Sequence, residues 1–371
     1  MISCCCCFLS LLLFCFDWFY HFVMKESFYS WSEYSFEFKR KAQDFNIKEN
    51  IVLGLLKYAK TLKDQRLPVI YDIKHLSYLT EYRESYLLRA IKSSGSFYRE
   101  FKIPKKSGGL RSISEPLPGL KEIQYWILNN IIKTVPTNRY NNAYSLGKSI
   151  VTNAKYHTKQ PKVLNLDIEK FFDNITYEMV SEFFSKLGYN KVVSDALAAL
   201  CTLNECLPQG SPSSPYLSSV LTSELDNELF AYCRKYELRY SRYADDITIS
   251  GNFHPGIIVS GVEKILNQFC FSINSEKTRV KEQHQRQMVT GIVVNRKLSV
   301  KKTEVKQIRQ AMFYINKYGI ESHAIFINLS KSNYIQHLLG KINFCLFVKK
   351  DNAELIAYKQ TLIELLKEVN A

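Results

Sequence analysis

The chain has no two cysteines in CxxC spacing and no Cys/His set spaced for zinc, although ten of its 371 residues are cysteine. Cys4 to Cys7 are consecutive and Cys15 is close by, while Cys201, Cys206, Cys233, Cys270 and Cys345 are scattered. That pattern excludes a disulfide framework, and the last five read as reduced, mostly buried thiols of a cytoplasmic protein. A long hydrophobic run is also missing. The uncharged stretch Ile2 to Phe16 falls short of the ~20 residues needed to span a bilayer. It lacks the basic n-region and small-residue cleavage site of a secretory signal. Residues 1–24 are therefore expected to be an apolar leader from an upstream, non-native start, with Met24 the next methionine. A membrane-associating segment is the alternative, and no stable membrane association is expected. A P-loop is absent too, because Gly147-Lys148-Ser149 has Asn142 where the motif needs glycine.

Positive charge is abundant. A formal charge of +15 and a pI near 9.2 point to a polyanionic partner, nucleic acid before acidic membrane. Apolar content of 46% with 23% charged residues is globular, and the length allows one large or two ordinary domains.

The sequence is organised around Arg242-Tyr243-Ala244-Asp245-Asp246. It lies between Leu238-Arg239-Tyr240 and Ile247-Thr248-Ile249, whose β-branched and aromatic residues favour strands. Ala-Asp-Asp would supply the turn. Two adjacent carboxylates repel, and a divalent cation is the usual remedy. Alone, the tetrapeptide is equally a surface turn. A second strand, Val163-Leu164-Asn165-Leu166-Asp167-Ile168, also ends in an aspartate. Two carboxylate-tipped strands side by side make a hard-oxygen site suited to Mg²⁺. Two such ions, about 3.5–4 Å apart, can clamp the attacking and leaving oxygens of a phosphoryl transfer.

The segment 25–96 is an N-terminal helical region, with apolar residues at helix spacing and Lys and Arg between them. Residues 97–295 form a core. It opens with two strands joined by Lys105-Lys106-Ser107-Gly108-Gly109, a cationic hairpin with Arg111 that is able to close on a triphosphate. A solvated hairpin tip is the plainer alternative. Leu207-Pro208-Gln209-Gly210-Ser211-Pro212 is a loop opening a long helix from Tyr216 to Tyr236, and Gly210 permits close backbone approach. Lys277 sits where the chain turns back, and Met288 to Asn295 reads as one strand with a glycine break. His157, on a short helix, reads as structural. The tail 296–371 is helical and basic, with 13 Lys and Arg against 6 Asp and Glu.

Taken in order, these stretches resemble a reverse transcriptase. Leu166-Asp167-Ile168 with Phe171-Phe172 resembles the first catalytic motif, Leu207 to Pro212 the template and nucleotide loop, and Tyr243-Ala244-Asp245-Asp246 the YxDD box. Asn153-Ala154-Lys155-Tyr156-His157 and Val289-Thr290-Gly291 resemble the NAxxH and VTG signatures of bacterial retron reverse transcriptases. The resemblance implies an α+β right-hand polymerase: fingers, a palm with an antiparallel sheet, and a helical basic thumb at 296–371 that binds RNA.

It also implies catalysis by Asp167, Asp245 and Asp246, with two Mg²⁺ ions held by these residues and the Ile168 carbonyl. Lys105, Lys106, Arg111, Phe172, Gln209, Gly210 and Lys277 would bind the nucleotide. Asn153, Ala154, His157, Val289, Thr290 and Gly291 are grouped with RNA binding as the family signature. The implied partners are a cognate noncoding RNA, its DNA product, dNTPs and an operon-encoded effector protein. The implied product is a branched RNA-linked single-stranded DNA (msDNA), primed from a guanosine 2′-OH and made in antiphage defence. Two rivals remain: another bacterial reverse transcriptase of the group II intron type, and a protein that chiefly scaffolds RNA to restrain a toxin.

Overall fold

The computed structural model describes residues 30–105 and 108–370. The expected leader and Lys106 lie outside the described residues. The chain forms two compact units that interleave along the sequence: one takes residues up to Pro136 and Phe172–Leu221, the other Thr137–Phe171 and everything from Thr222. These units cut across the four segments read from the sequence. The strand ending in Asp167 belongs with strands that follow residue 238, so the intervening chain leaves that sheet and returns.

The first unit opens with the helices Trp31–Asp44, Glu49–Asp64, Ile73–Thr80 and Glu84–Lys92. Ser30 starts the first through a capping box with Glu33, and Asp72 caps the third by accepting from the His75 amide at 2.7 Å. Strands β1 (Tyr98–Pro104) and β2 (Leu110–Pro116) form the expected antiparallel hairpin, with Ile103 opposite Arg111. The helices Pro118–Asn130, Tyr177–Lys186, Lys191–Cys201 and Ser214–Leu221 complete the unit. Leu62, Leu76, Leu87, Ile127 and Leu197 lie fully buried in it.

The second unit carries a four-stranded antiparallel sheet. Its strands are β3 (Lys162–Asp167), β4 (Arg239–Tyr243), β5 (Asp246–Gly251) and β6 (Arg279–Glu282), in the order β4-β5-β3-β6. The central strands bury Val163, Leu164, Ile247 and Ile249 completely, so residues of both faces are removed from water. The segment Met288 to Asn295 is a hairpin rather than one strand. β7 (Met288–Val289) pairs with β8 (Ile292–Val293) across Thr290-Gly291, both at positive φ (46° and 84°), as a two-residue loop requires.

The tail is helical as expected: Lys302–Tyr318, Ile320–Phe326, Lys331–Val348 and Ala353–Asn370 enclose a core that includes Ile308, Met312, Ile335 and Ile342. Among the described residues, no helix is long and apolar enough to cross a membrane.

The long helix expected from Tyr216 to Tyr236 is two helices, Ser214–Leu221 and Ser223–Lys235. Thr222 breaks it at φ −95°, ψ 16°. The chain passes from one unit to the other at this point.

Candidate active site

Sheet register brings the carboxylates together. In the β3–β5 ladder Asp167 stands opposite Asp246, and in the β4–β5 hairpin Tyr243 stands opposite Asp246. Ala244 and Asp245 form the turn, with Ala244 in the left-handed region at φ 57°. The Ile168 amide donates to the Asp245 carbonyl at 2.9 Å, tying the end of β3 to that turn. Asp167 and Asp246 on two strands and Asp245 in the turn therefore share one end of the sheet.

Lys277 joins them. The Asn274 amide donates to the Asp167 carbonyl at 2.8 Å, which docks the Ser275–Lys277 turn against β3. The Lys277 ammonium then donates to both Asp167 carboxylate oxygens, at 2.7 and 2.9 Å. Desolvation, followed by the negative charges of Asp245 and Asp167, pushes the pKa of Asp246 up to about 7; Lys277 acts in the opposite direction. A crowd of carboxylates that resists full ionisation is the donor chemistry that suits a hard divalent cation. Among the described residues, no three His, Cys, Asp or Glu side chains already converge as a cage.

Beneath the turn, Arg242 is fully buried, although charged residues are rarely so. Its Nε and one terminal nitrogen fork onto Asp226 at 2.7 and 2.6 Å. The same terminal nitrogen reaches Thr222 Oγ1 at 2.7 Å, and the other donates to the Ala244 carbonyl at 2.8 Å. The Tyr240 hydroxyl donates to Asp226 at 2.7 Å. Sequence reasoning missed Asp226 and gave Arg242 no role. The available signal was a charged residue at a strand position flanked by apolar and aromatic neighbours.

The NAxxH segment lies on the helix Ile150–Tyr156 and its C-cap His157. His157 bridges two strands, with Nδ1 2.7 Å from Ser250 Oγ and Nε2 2.7 Å from Ser241 Oγ; Ser241 donates to Asn153 Oδ1 at 2.5 Å. Asn153, Ala154, His157 and Val289, which the sequence groups with RNA binding, are fully buried. Both ring nitrogens of His157 are engaged by the sheet, whereas Asn153 is engaged through Oδ1 alone and its Nδ2 is buried without a hydrogen-bond partner; Thr290 Oγ1 donates to the Ile150 carbonyl at 3.1 Å, joining the two signatures. Gly291 completes the β7–β8 turn. The former P-loop suspect is also structural: the Lys148 ammonium caps the carbonyls of Asn138, Arg139 and Asn141 at 3.0, 2.8 and 2.7 Å.

The remaining nucleotide candidates belong to the first unit. Lys105 and Arg111 are exposed on the hairpin, where the Lys105 amide donates to the Gly109 carbonyl at 3.0 Å. The Ser114 amide donates to the Gln209 carbonyl at 2.8 Å, so the Gln209-Gly210 loop leans on β2. Gly210 has φ 131°, and a Cβ there would lie 2.6 Å from the Ser114 carbonyl oxygen. Behind the loop, buried Gln124 accepts from Ser211 at 2.8 Å and donates to Tyr98 and to the Leu200 carbonyl, both at 2.8 Å. Gln124 was another residue that sequence reasoning passed over. Phe172 is half-buried and belongs to the first unit, whereas Asp167, Ile168, Asp245, Asp246 and Lys277 belong to the second.

Residues 103–306 match the family model for reverse transcriptase, RNA-dependent DNA polymerase. The chain is 31% identical over 309 residues to the Retron Ec86 reverse transcriptase of Escherichia coli, covering 80% of this chain and 91% of that protein. It is 31% identical to the Retron Ec83 reverse transcriptase of Escherichia coli, covering 66% and 81%. It is 30% identical to the Retron Mx162 reverse transcriptase of Myxococcus xanthus, covering 54% and 48%.

Proposed function

Because the chain belongs to the reverse transcriptases, in their bacterial retron branch, and is an RNA-directed DNA polymerase with a right-hand α+β fold, we propose that Asp167, Asp245 and Asp246 form its catalytic centre. The observation that carries this reading is the β3–β5 register, which sets Asp167 opposite Asp246 beside the Asp245 turn.

Reverse transcriptases use divalent metal ions, and this donor set fits them. We assign two Mg²⁺ to Asp167, Asp245 and the Ile168 carbonyl, with Asp246 tuning the charge of the site. Bound there, the ions would lower the pKa of the primer hydroxyl and hold the triphosphate. Lys277 neutralises Asp167 through both oxygens, and its ammonium is within the centre to donate a proton to departing pyrophosphate. Arg111, with Lys105 or Lys106, would neutralise the β- and γ-phosphates, since a guanidinium fork matches phosphate oxygens. Gln209 and Gly210 would meet the nucleotide and template, their backbone braced by β2 and Gln124. Phe172 would stack under the sugar and leave no room for a 2′-OH, selecting deoxynucleotides.

The RNA template is bound by phosphate and shape recognition, with the basic 296–371 helices as thumb. The substrate we assign is a cognate structured noncoding RNA, primed from a guanosine 2′-OH to give branched msDNA in the cytoplasm. An operon-encoded effector would act beside it in antiphage defence.

The test is to express the chain with its flanking intergenic DNA, extract nucleic acid, and resolve it on a denaturing gel with and without RNase and debranching enzyme. A short DNA whose mobility shifts after both treatments, and which Asp245→Asn removes, is the expected result. If that DNA is absent while the protein still extends an added primer on RNA, the retron product assignment is wrong.

A further inference from the structure

We propose that Arg242, held by Asp226, is a positioning residue for the Asp245–Asp246 turn; this rests on the assignment of that turn to catalysis. One planar guanidinium bonds the carbonyl of Ala244, immediately before Asp245, and lies 5.6 Å from the ring centre of Phe171, four residues after Asp167. It therefore touches both carboxylate-bearing segments. Its other donors are fixed by Asp226 and Thr222 at the start of the helix Ser223–Lys235. Asp226 is oriented in turn by the Tyr240 hydroxyl.

Stability does not account for the pair. A buried ion pair replaced by apolar residues of similar volume often leaves a protein as stable or more so, because desolvation offsets the Coulombic gain. Apolar residues cannot supply a donor aimed at the Ala244 carbonyl. Ala244 holds a left-handed backbone at φ 57°, which is unfavourable for a residue with a Cβ and persists where surrounding bonds over-determine it. Lysine would keep the charge but not the fork that makes these bonds together.

The test uses the full chain carrying Arg242→Met with Asp226→Leu, and separately Arg242→Lys. Urea unfolding, binding of a structured RNA, Mn²⁺ binding by calorimetry without nucleotide, and kcat for primer extension are measured on each. The double variant should stay folded, with a lower urea midpoint because the buried Tyr240 hydroxyl loses Asp226, and should bind RNA like the parent, while Mn²⁺ affinity and kcat each fall about 10–100-fold, the range for residues that orient metal ligands. A folded double variant with parental Mn²⁺ affinity and kcat overturns the proposal and leaves the pair a packing feature. Should the double variant fail to fold, Arg242→Lys decides by the same two readings. Asp245→Asn serves as the control: if it retains synthesis, the catalytic assignment fails, whatever Arg242 does.

Discussion

Replacing Gly210 with alanine tests how the nucleotide loop is built. Gly210 has φ 131°, where a residue with a Cβ costs on the order of 1–3 kcal/mol. The added Cβ would also stand 2.6 Å from the Ser114 carbonyl oxygen and 3.0 Å from Ile113 Cγ2, and the first contact is with rigid backbone. Relief requires moving the loop off β2, which breaks the Ser114 amide bond to the Gln209 carbonyl and forfeits ~0.5–1.5 kcal/mol. The two costs together predict about 2–4 kcal/mol of destabilisation. Gly291→Ala separates them: its φ is 84° but nothing lies within 4 Å of its Cβ position, so only the backbone cost applies. Urea denaturation of both variants, with the dNTP KM measured beside it, is the assay. Gly210→Ala should lose clearly more stability than Gly291→Ala and should raise the KM. Equal losses, or a change at Gly210 within ~0.5 kcal/mol, would refute the close-approach argument.

Asp245→Asn should abolish DNA synthesis while a filter-binding assay still finds parental RNA affinity; weakened RNA binding would mean that the carboxylate holds the fold rather than performs chemistry. Phe172→Ala should admit ribonucleotides in primer extension, and unchanged sugar discrimination would remove Phe172 from the nucleotide site. Burial holds the His157 pKa down at about 3, against an ordinary value near 6.5, so the folded state refuses a proton that the unfolded chain accepts. Its contribution is intact above pH 6.5 and is lost as pH falls toward 3, by about 1.4 kcal/mol per pH unit within that window. Urea midpoints at pH 7, 6 and 5 should show a shallower acid slope in His157→Gln than in the parent, and identical slopes would contradict the assignment. RNA affinity should fall steeply between ~50 and 200 mM salt, and a flat response would count against phosphate recognition by the basic helices.

The carboxylate centre was legible because it is local. Strand-forming flanks, an Asp-Asp turn and a second aspartate-tipped strand are patterns within a few residues, and sheet pairing then sets Asp167 opposite Asp246. Features imposed by tertiary partners were not legible. Helical spacing runs through Thr222 without a Gly or Pro, so nothing local announces the break; a hydrogen bond from Arg242, twenty residues away, engages the side chain where the helix stops. The Met288–Asn295 hairpin was readable in principle, because Thr290-Gly291 is a two-residue turn between short apolar pairs. The unit division could not be read along the chain, because the sheet joins β3 to strands more than seventy residues later.

The two family signatures show why a motif's presence does not reveal its work. Asn153, Ser241, His157 and Ser250 form one buried chain that fastens the helix Ile150–Tyr156 to β4 and β5. Removing the imidazole deprives two buried hydroxyls of this partner, and a buried polar group left unsatisfied costs ~1–3 kcal/mol. The β4 strand thus carries two anchors on neighbouring residues: Ser241 ties it to the signature helix, and Arg242 ties it to Asp226 below the Asp245–Asp246 turn. A change at Asn153 or His157 would therefore impair synthesis through the strand that carries Arg242. Loss of DNA synthesis on changing these positions would then report on the geometry of the sheet. A test of RNA recognition belongs on exposed side chains, such as the Phe313, Lys317 and Tyr318 surface of the helix Lys302–Tyr318, where Lys317 lies 5.8 and 5.0 Å from the two ring centres.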